Sequence, residues 1–70
     1  MKELEDLLAS PGWEIIQLKL LDRRDAFARE LLYASTFEKM TFLQAQIREI
    51  DFLLKYPHDV IQAEKHKEAS

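Results

Sequence analysis

Residues 37–57 read FEKMTFLQAQIREIDFLLKYP, and two sets of apolar residues run through this segment. The first set, here the inner seam, has the 3-4-3-4 spacing that places residues on one face of a helix, and it consists of Met40, Leu43, Ile47, Ile50 and Leu54. The second set, here the outer seam, lies on another face and consists of Phe42, Ala45, Glu49, Phe52, Leu53 and Tyr56, with Glu49 interrupting its apolar spacing. One neighbouring helix can cover only one seam. The segment therefore predicts a helix with an inner seam for its own chain and an outer seam for a partner.

The preceding segment predicts another long helix, from residue 11 to residue 34. Ser10 is a suitable N-cap, and Pro11 suits the first helical position because its missing N–H would have no partner there. The apolar side of this helix spans about 160–200°, whereas a surface helix needs little more than about 100°. We expect part of this side to pack on the inner seam, through Ile16, Leu20, Phe27 and Leu31. We expect the rest, here the leucine surface, to bind a partner through Leu18, Leu21 and Leu32.

The connection between the two helices is predicted to be short. Ser35 and Glu38 have the spacing of a capping box at the start of the second helix. A short connection makes consecutive helices antiparallel neighbours, and it would bring Leu31 near Met40.

The predicted fold is all-α, a long antiparallel helical hairpin (about 11–34 and 37–56) that assembles into an oligomeric bundle. One domain, 1–70, contains this hairpin and two short flanking helices. The first of these is predicted at 2–9. The second, at 57–68, is predicted as a short C-terminal helix or a tail, because Pro57 should end the long helix or restart it.

The composition favours a protein that gains stability from association. A chain of 70 residues buries only a small core, and without cysteine it has no disulfide to support that core.

The charges of the chain do not suggest a nucleic-acid partner. Its 10 basic and 13 acidic residues are intermixed and give a net charge of −3, unlike the basic patch of a nucleic-acid-binding protein. No stretch approaches the roughly 20 apolar residues of a membrane span, and the N-terminal residues are acidic and polar, unlike a secretory signal. We therefore expect a homo-oligomer or a larger protein assembly in a cytoplasmic or intracellular-assembly setting, without nucleic-acid or membrane partners.

Catalytic and metal-binding patterns are weak. The single glycine, Gly12, rules out a glycine-rich phosphate loop. A Ser-His-Asp set of Ser35, His58 and Asp59 is arithmetically possible, but Ser35 is already explained as a helix cap. His58 and His66 lack the Glu-x-x-His pairing of metal sites in helical bundles. We expect no enzymatic activity, no small-molecule substrate, no cofactor and no metal.

Arg24 stands on the apolar side of the first long helix, where a leucine would be usual. An arginine in such a position must be paired or must extend to solvent. We favour a polar contact to Gln44 or Asp51 that specifies the register of the two helices. Two other interpretations remain open: an anchor for an acidic partner surface, and a contact to Glu49 within or between chains.

Three stretches carry a resemblance to a known group of proteins: Leu7-Leu8-Ala9-Ser10-Pro11-Gly12-Trp13, Leu43-Gln44-Ala45-Gln46-Ile47 and Leu53-Leu54-Lys55-Tyr56-Pro57. With them the chain resembles small phage-encoded helical-hairpin proteins of the pattern LLxSPGW, LQxxI and LLxxP, which tend to have glycine where Ala45 stands. The resemblance implies a role in virion structure or assembly, in the head or the head–tail connection, and no catalytic residue.

Two function hypotheses follow. The first is a non-enzymatic, oligomerising structural or accessory protein, a bacteriophage virion or head/neck assembly component. The alternative is a small helical regulatory binding module, a dimeric hairpin adaptor or inhibitor that docks on a protein or RNA partner. The size of the oligomer discriminates between them, because a closed dimer suits a regulator and a larger multimer suits a particle.

Overall fold

A computed structural model describes residues 2–69 of the chain, and it is all-helical. The helices are α1 (Lys2–Leu8), α2 (Pro11–Leu32) and α3 (Phe37–Ala69). They contain 91% of the described residues, and no strand lies within 2–69. The predicted all-α class is confirmed, whereas the predicted domain ends at residues 1 and 70 lie outside the described range.

The start of α2 is as predicted. Ser10 has an extended backbone (ψ 150°), and its hydroxyl oxygen accepts a hydrogen bond from the backbone N–H of Trp13 at 3.2 Å. The same hydroxyl donates to the carbonyl oxygen of Leu7 at 2.6 Å. One side chain thus caps α2 and holds the end of α1 against it. Trp13 is buried, with 7% of its surface exposed.

The connection between α2 and α3 differs from the prediction in detail. α2 ends at Leu32, and the N–H of Tyr33 closes its last turn by donating to the carbonyl of Glu30 at 3.0 Å. Thr36, not Ser35, caps α3, because its hydroxyl oxygen accepts from the N–H of Lys39 at 3.1 Å. The capping box of Ser35 and Glu38 is therefore wrong, since the helix begins one residue later than that box requires.

The predicted break at Pro57 is also wrong, because α3 continues through this proline to Ala69. Proline lacks the N–H that would pair with the carbonyl of Leu53, and it costs about 3 kcal/mol in a helix interior. Both Pro57 and Ile61 are buried. They continue the spacing of the inner seam beyond Leu54, and their burial, about 1.5–3 kcal/mol for a large apolar side chain, offsets the proline penalty.

The core is small, and two residues predicted to belong to it are exposed. Leu43, Ile50 and Ile61 are buried on α3. The other predicted core residues are half-buried, namely Leu20, Phe27, Leu31, Ile47 and Leu54. In contrast, 49% of Ile16 and 36% of Met40 are exposed, which corrects their assignment.

The register of the two long helices explains why Met40 is exposed. Leu31 lines one groove with Gln44 and Ile47, so its neighbours on α3 lie about one helical turn beyond Met40. α2 ends earlier than predicted and the connection occupies residues 33–36, which moves the first contact of the helices further along α3. Ile16 is exposed for a different reason, since the buried face of α2 passes through Trp13 and the half-buried Gln17.

The molecule is flat. Its Cα atoms extend over 48 × 29 × 11 Å. The shortest extent is less than the roughly 13–15 Å expected for two stacked layers of helices, whose axes lie about 8–10 Å apart and whose Cα cylinders are about 4.6 Å across. α1 contacts both α2 and α3, and Lys65 Nζ lies 3.9 Å from Glu5 Oε1. The radius of gyration is 15.7 Å, against about 11 Å for a compact chain of this length. The three helices thus form nearly a single layer, whereas domains usually pack two or three layers around a core.

Candidate interaction surfaces

The outer seam is exposed along its whole length. About half of the surface of Phe42, Phe52 and Tyr56 is exposed (53%, 52% and 52%), and 42% of Leu53. Ala45 and Glu49 are exposed as well. The rings of Phe52 and Tyr56 lie one turn apart, with their centroids 5.4 Å from each other. The seam therefore presents to solvent a ridge of three aromatic rings, interrupted by Ala45 and Glu49, and exposed aromatic side chains are typical of binding surfaces.

Glu49 lies at the middle of this ridge. Within residues 2–69 its carboxylate forms no hydrogen bond or ion pair. A charge between aromatic side chains would be costly to cover with an apolar surface alone. A partner of the outer seam should therefore supply a cation or leave water access at this point.

The leucine surface on α2 is exposed too. Leu32 is 79% exposed, Leu18 57% and Leu21 45%. Sequence reasoning missed the most exposed neighbours of this surface, Tyr33 and Phe37, which lie at the connection with 85% and 79% exposure. The sequence feature that could have identified these two residues is their position beside the ends of the helices, outside both seams.

Arg24 contacts Asp51, one of the partners weighed for it. Nε donates to Oδ1 at 2.7 Å and an η nitrogen to Oδ2 at 3.4 Å, the two-point geometry that favours arginine over lysine. The hydrogen bond to Asp51, and next its charge, raise the pKa of Arg24. The two side chains are 39% and 46% exposed, so solvent screens the pair. Its role in specifying register stays a prediction.

A shallow groove opens beside this ion pair. It has a volume of about 300 Å³, and its lining consists of Leu31, Gln44, Ile47, Arg48 and Asp51. Leu31 and Ile47 contribute apolar surface. Asp51 is engaged by Arg24, whereas Arg48 forms no ion pair with any residue of the described chain. The groove thus offers an apolar site of side-chain size with one unpaired guanidinium.

Neither the Ser-His-Asp set that the sequence permits nor a cluster of metal ligands is assembled among residues 2–69. No three His, Cys, Asp or Glu side chains within 2–69 gather closely enough to hold a metal ion. Ser35 precedes α3 and His58 lies about six turns along it, roughly 30 Å away at 1.5 Å per residue. The possible Ser-His-Asp set is therefore not assembled in this structure.

None of the helices between residues 2 and 69 has the length and apolar character needed to cross a membrane. Comparison of the chain with protein-family models, with curated proteins and with solved structures found no match.

Proposed function

We propose that α2 and α3 form an antiparallel hairpin that assembles with further copies of the chain, and that the protein is a non-enzymatic structural or accessory component of a larger assembly. The observation that carries this proposal is the flat shape with exposed apolar side chains. A single layer of helices has no second layer to cover its seams, and copies of the same chain can supply one.

Contacts between distant parts of the chain support the antiparallel hairpin. Four residues, 33–36, connect the two helices, too few for α3 to return and run parallel to α2. Arg24 near the middle of α2 contacts Asp51 near the middle of α3. Glu5, near the start of the chain, approaches Lys65, near its end.

The exposed area supports association. The accessible surface is 5727 Å², whereas a compact protein of this mass exposes about 4,600 Å². The difference, about 1,100 Å², exceeds the roughly 800 Å² that each partner buries in a standard protein–protein interface. Association can therefore remove the excess without any change of fold.

The resemblance to small phage-encoded proteins specifies the kind of assembly that we propose, a bacteriophage virion in its head or neck. The stretch that carries most of the resemblance, residues 7–13, forms the corner between α1 and α2, with Ser10 as its cap and Trp13 buried. The host cytoplasm and the virion are the two locations that this proposal allows.

The mass of the native protein at micromolar concentration tests the proposal. We expect light scattering to return a multiple of the 8.3 kDa chain that is larger than a dimer. A soluble species of one chain mass would overturn the proposal. A closed dimer would instead favour a small regulatory module that docks on another protein or on RNA.

A further inference from the structure

The outer seam and the leucine surface differ in their sequence positions relative to the inward-facing residues. On α3 the outer seam comes before those residues, whereas on α2 the leucine surface comes after them. On α3, three exposed residues of the outer seam come directly before a buried residue: Phe42 precedes Leu43, Glu49 precedes Ile50 and Tyr56 precedes Pro57. On α2 the order is reversed, because Leu18, Leu21 and Leu32 each follow a half-buried residue, namely Gln17, Leu20 and Leu31. One residue corresponds to a rotation of about 100° around the helix.

This reversal places the two surfaces on opposite faces of the layer. Two antiparallel helices are related by an approximate two-fold axis normal to their common plane. A rotation about this axis exchanges the two helices but does not exchange the two faces of the layer. On both helices, residues directly after an inward-facing residue in sequence therefore lie on one face of the layer. Residues directly before an inward-facing residue lie on the other face. The leucine surface belongs to the first face and the outer seam to the second.

The groove lies on the same face as the leucine surface. Gln44, Arg48 and Asp51 line it, and each of them follows a residue of the inner seam (Leu43, Ile47 and Ile50). This face of the layer therefore carries leucines beside an open, shallow groove. The opposite face carries a ridge of aromatic rings.

We propose that this protein assembles head to tail, with the outer seam of one copy seated on the leucine surface and in the groove of the next copy. The inference rests on the oligomerising function proposed above and names the partner and the contact. A ridge fills a groove, whereas ridge on ridge would leave every groove empty. A head-to-tail contact also buries both apolar faces with one type of interface, and it forms rings or open stacks instead of a closed dimer.

Charge supports the same arrangement. Among residues 2–69, neither Glu49 at the centre of the ridge nor Arg48 in the groove has an ion-pair partner. A head-to-tail contact brings these opposite charges together. A two-fold contact between ridges would instead place two copies of Glu49 near the axis, where like charges repel.

Complementation between two variants tests the proposal. Phe52→Glu damages the ridge and Leu21→Glu damages the leucine surface; both side chains are exposed, so the helices should remain folded. We expect each variant alone to have the mass of one 8.3 kDa chain in sedimentation. An equal mixture should contain a species of about twice that mass, because each variant keeps the surface that the other has lost. Lys2→Glu, at an exposed position on α1 and therefore outside both surfaces, is the matched control and should assemble like the wild type.

Charge reversal provides a second test at positions that do not contribute to the core. Arg48→Glu and Glu49→Arg should each weaken assembly at least tenfold, and the double variant should restore it. A contact with two Glu49 side chains near a two-fold axis predicts no such restoration. The head-to-tail contact is wrong if Phe52→Glu or Leu21→Glu alone still dimerises. It is also wrong if their mixture stays monomeric while the wild type assembles. In both cases the proposed oligomerising function is unaffected. A monomeric wild type overturns both.

Discussion

At the scale of single residues, Leu43 is the centre of the hydrophobic core. It is fully buried, at 0% exposure, on the face of α3 that packs against α2. Truncation of such a side chain costs about 2–5 kcal/mol, because transfer energy is lost and a cavity remains. We expect Leu43→Ala to lower the free energy of unfolding by this amount in urea titrations.

Met40 is the matched control, since it belongs to the same predicted seam but is exposed in the structure. Met40→Ala should lower the free energy of unfolding by about 1 kcal/mol, less than Leu43→Ala, because Met40 is only partly covered. Equal losses in the two variants would contradict the register described above.

Arg24 allows a second prediction at this scale. Its pair with Asp51 is partly exposed, so the pair contributes little to stability, and water can solvate the Asp51 carboxylate that remains when Arg24 is replaced. We expect Arg24→Leu to leave the Tm within a few degrees of the wild type. If the pair specifies register, the variant should lose its single oligomeric mass, as seen by native mass spectrometry.

A large loss of stability in Arg24→Leu would contradict this account. An unchanged mass with lost binding to a partner would favour the alternative role as an anchor.

The pH dependence of the ion pair has a defined sign, because Asp51 raises the pKa of Arg24. While Asp51 is ionised, the stability that the charge of Arg24 contributes is fully present below the ordinary pKa of arginine and is lost as the pH rises through the raised value, so it stays constant around neutral pH.

At the scale of the secondary-structure element, the continuity of α3 through Pro57 is the feature that sequence reasoning missed. Ile61 is buried beyond the proline, in the 3-4 spacing that begins at Leu43. The sequence contains the same periodicity, but proline usually ends a helix, so the sequence alone predicts a break at Pro57. Tertiary packing decided otherwise, because Pro57 and Ile61 bury apolar surface only if the helix continues.

Ile61→Ala tests this continuity. We expect a loss of about 2–5 kcal/mol in the free energy of unfolding, comparable with that of Leu43→Ala. Gln62→Ala, at the exposed neighbouring position, should be nearly neutral. If residues 57–68 were a separate tail, the two variants would have the same stability in chemical denaturation.

At the scale of the whole molecule, folding and association should be separable. Phe52 is half-exposed and contributes to the outer seam, so Phe52→Glu should keep most of the helical circular dichroism while it lowers the native mass. Assembly also couples to stability by mass action, so the Tm of the wild type should rise with protein concentration and that of Phe52→Glu should not. A Phe52→Glu protein without helical signal would show that the outer seam belongs to the intramolecular core.

The sequence by itself determined the helices, the Ser10 cap and the two seams of α3, because these features depend on residues within one or two turns of each other. Only the tertiary structure decided the register of α2 on α3, the exposure of Ile16 and Met40, and the path of α3 through Pro57. Each of these depends on contacts between residues far apart in the chain, such as Arg24 with Asp51, and on the length of the connection at 33–36. A shift by one turn preserves every local pattern in a helix of 3.6 residues per turn, so periodicity alone cannot distinguish one register from the next.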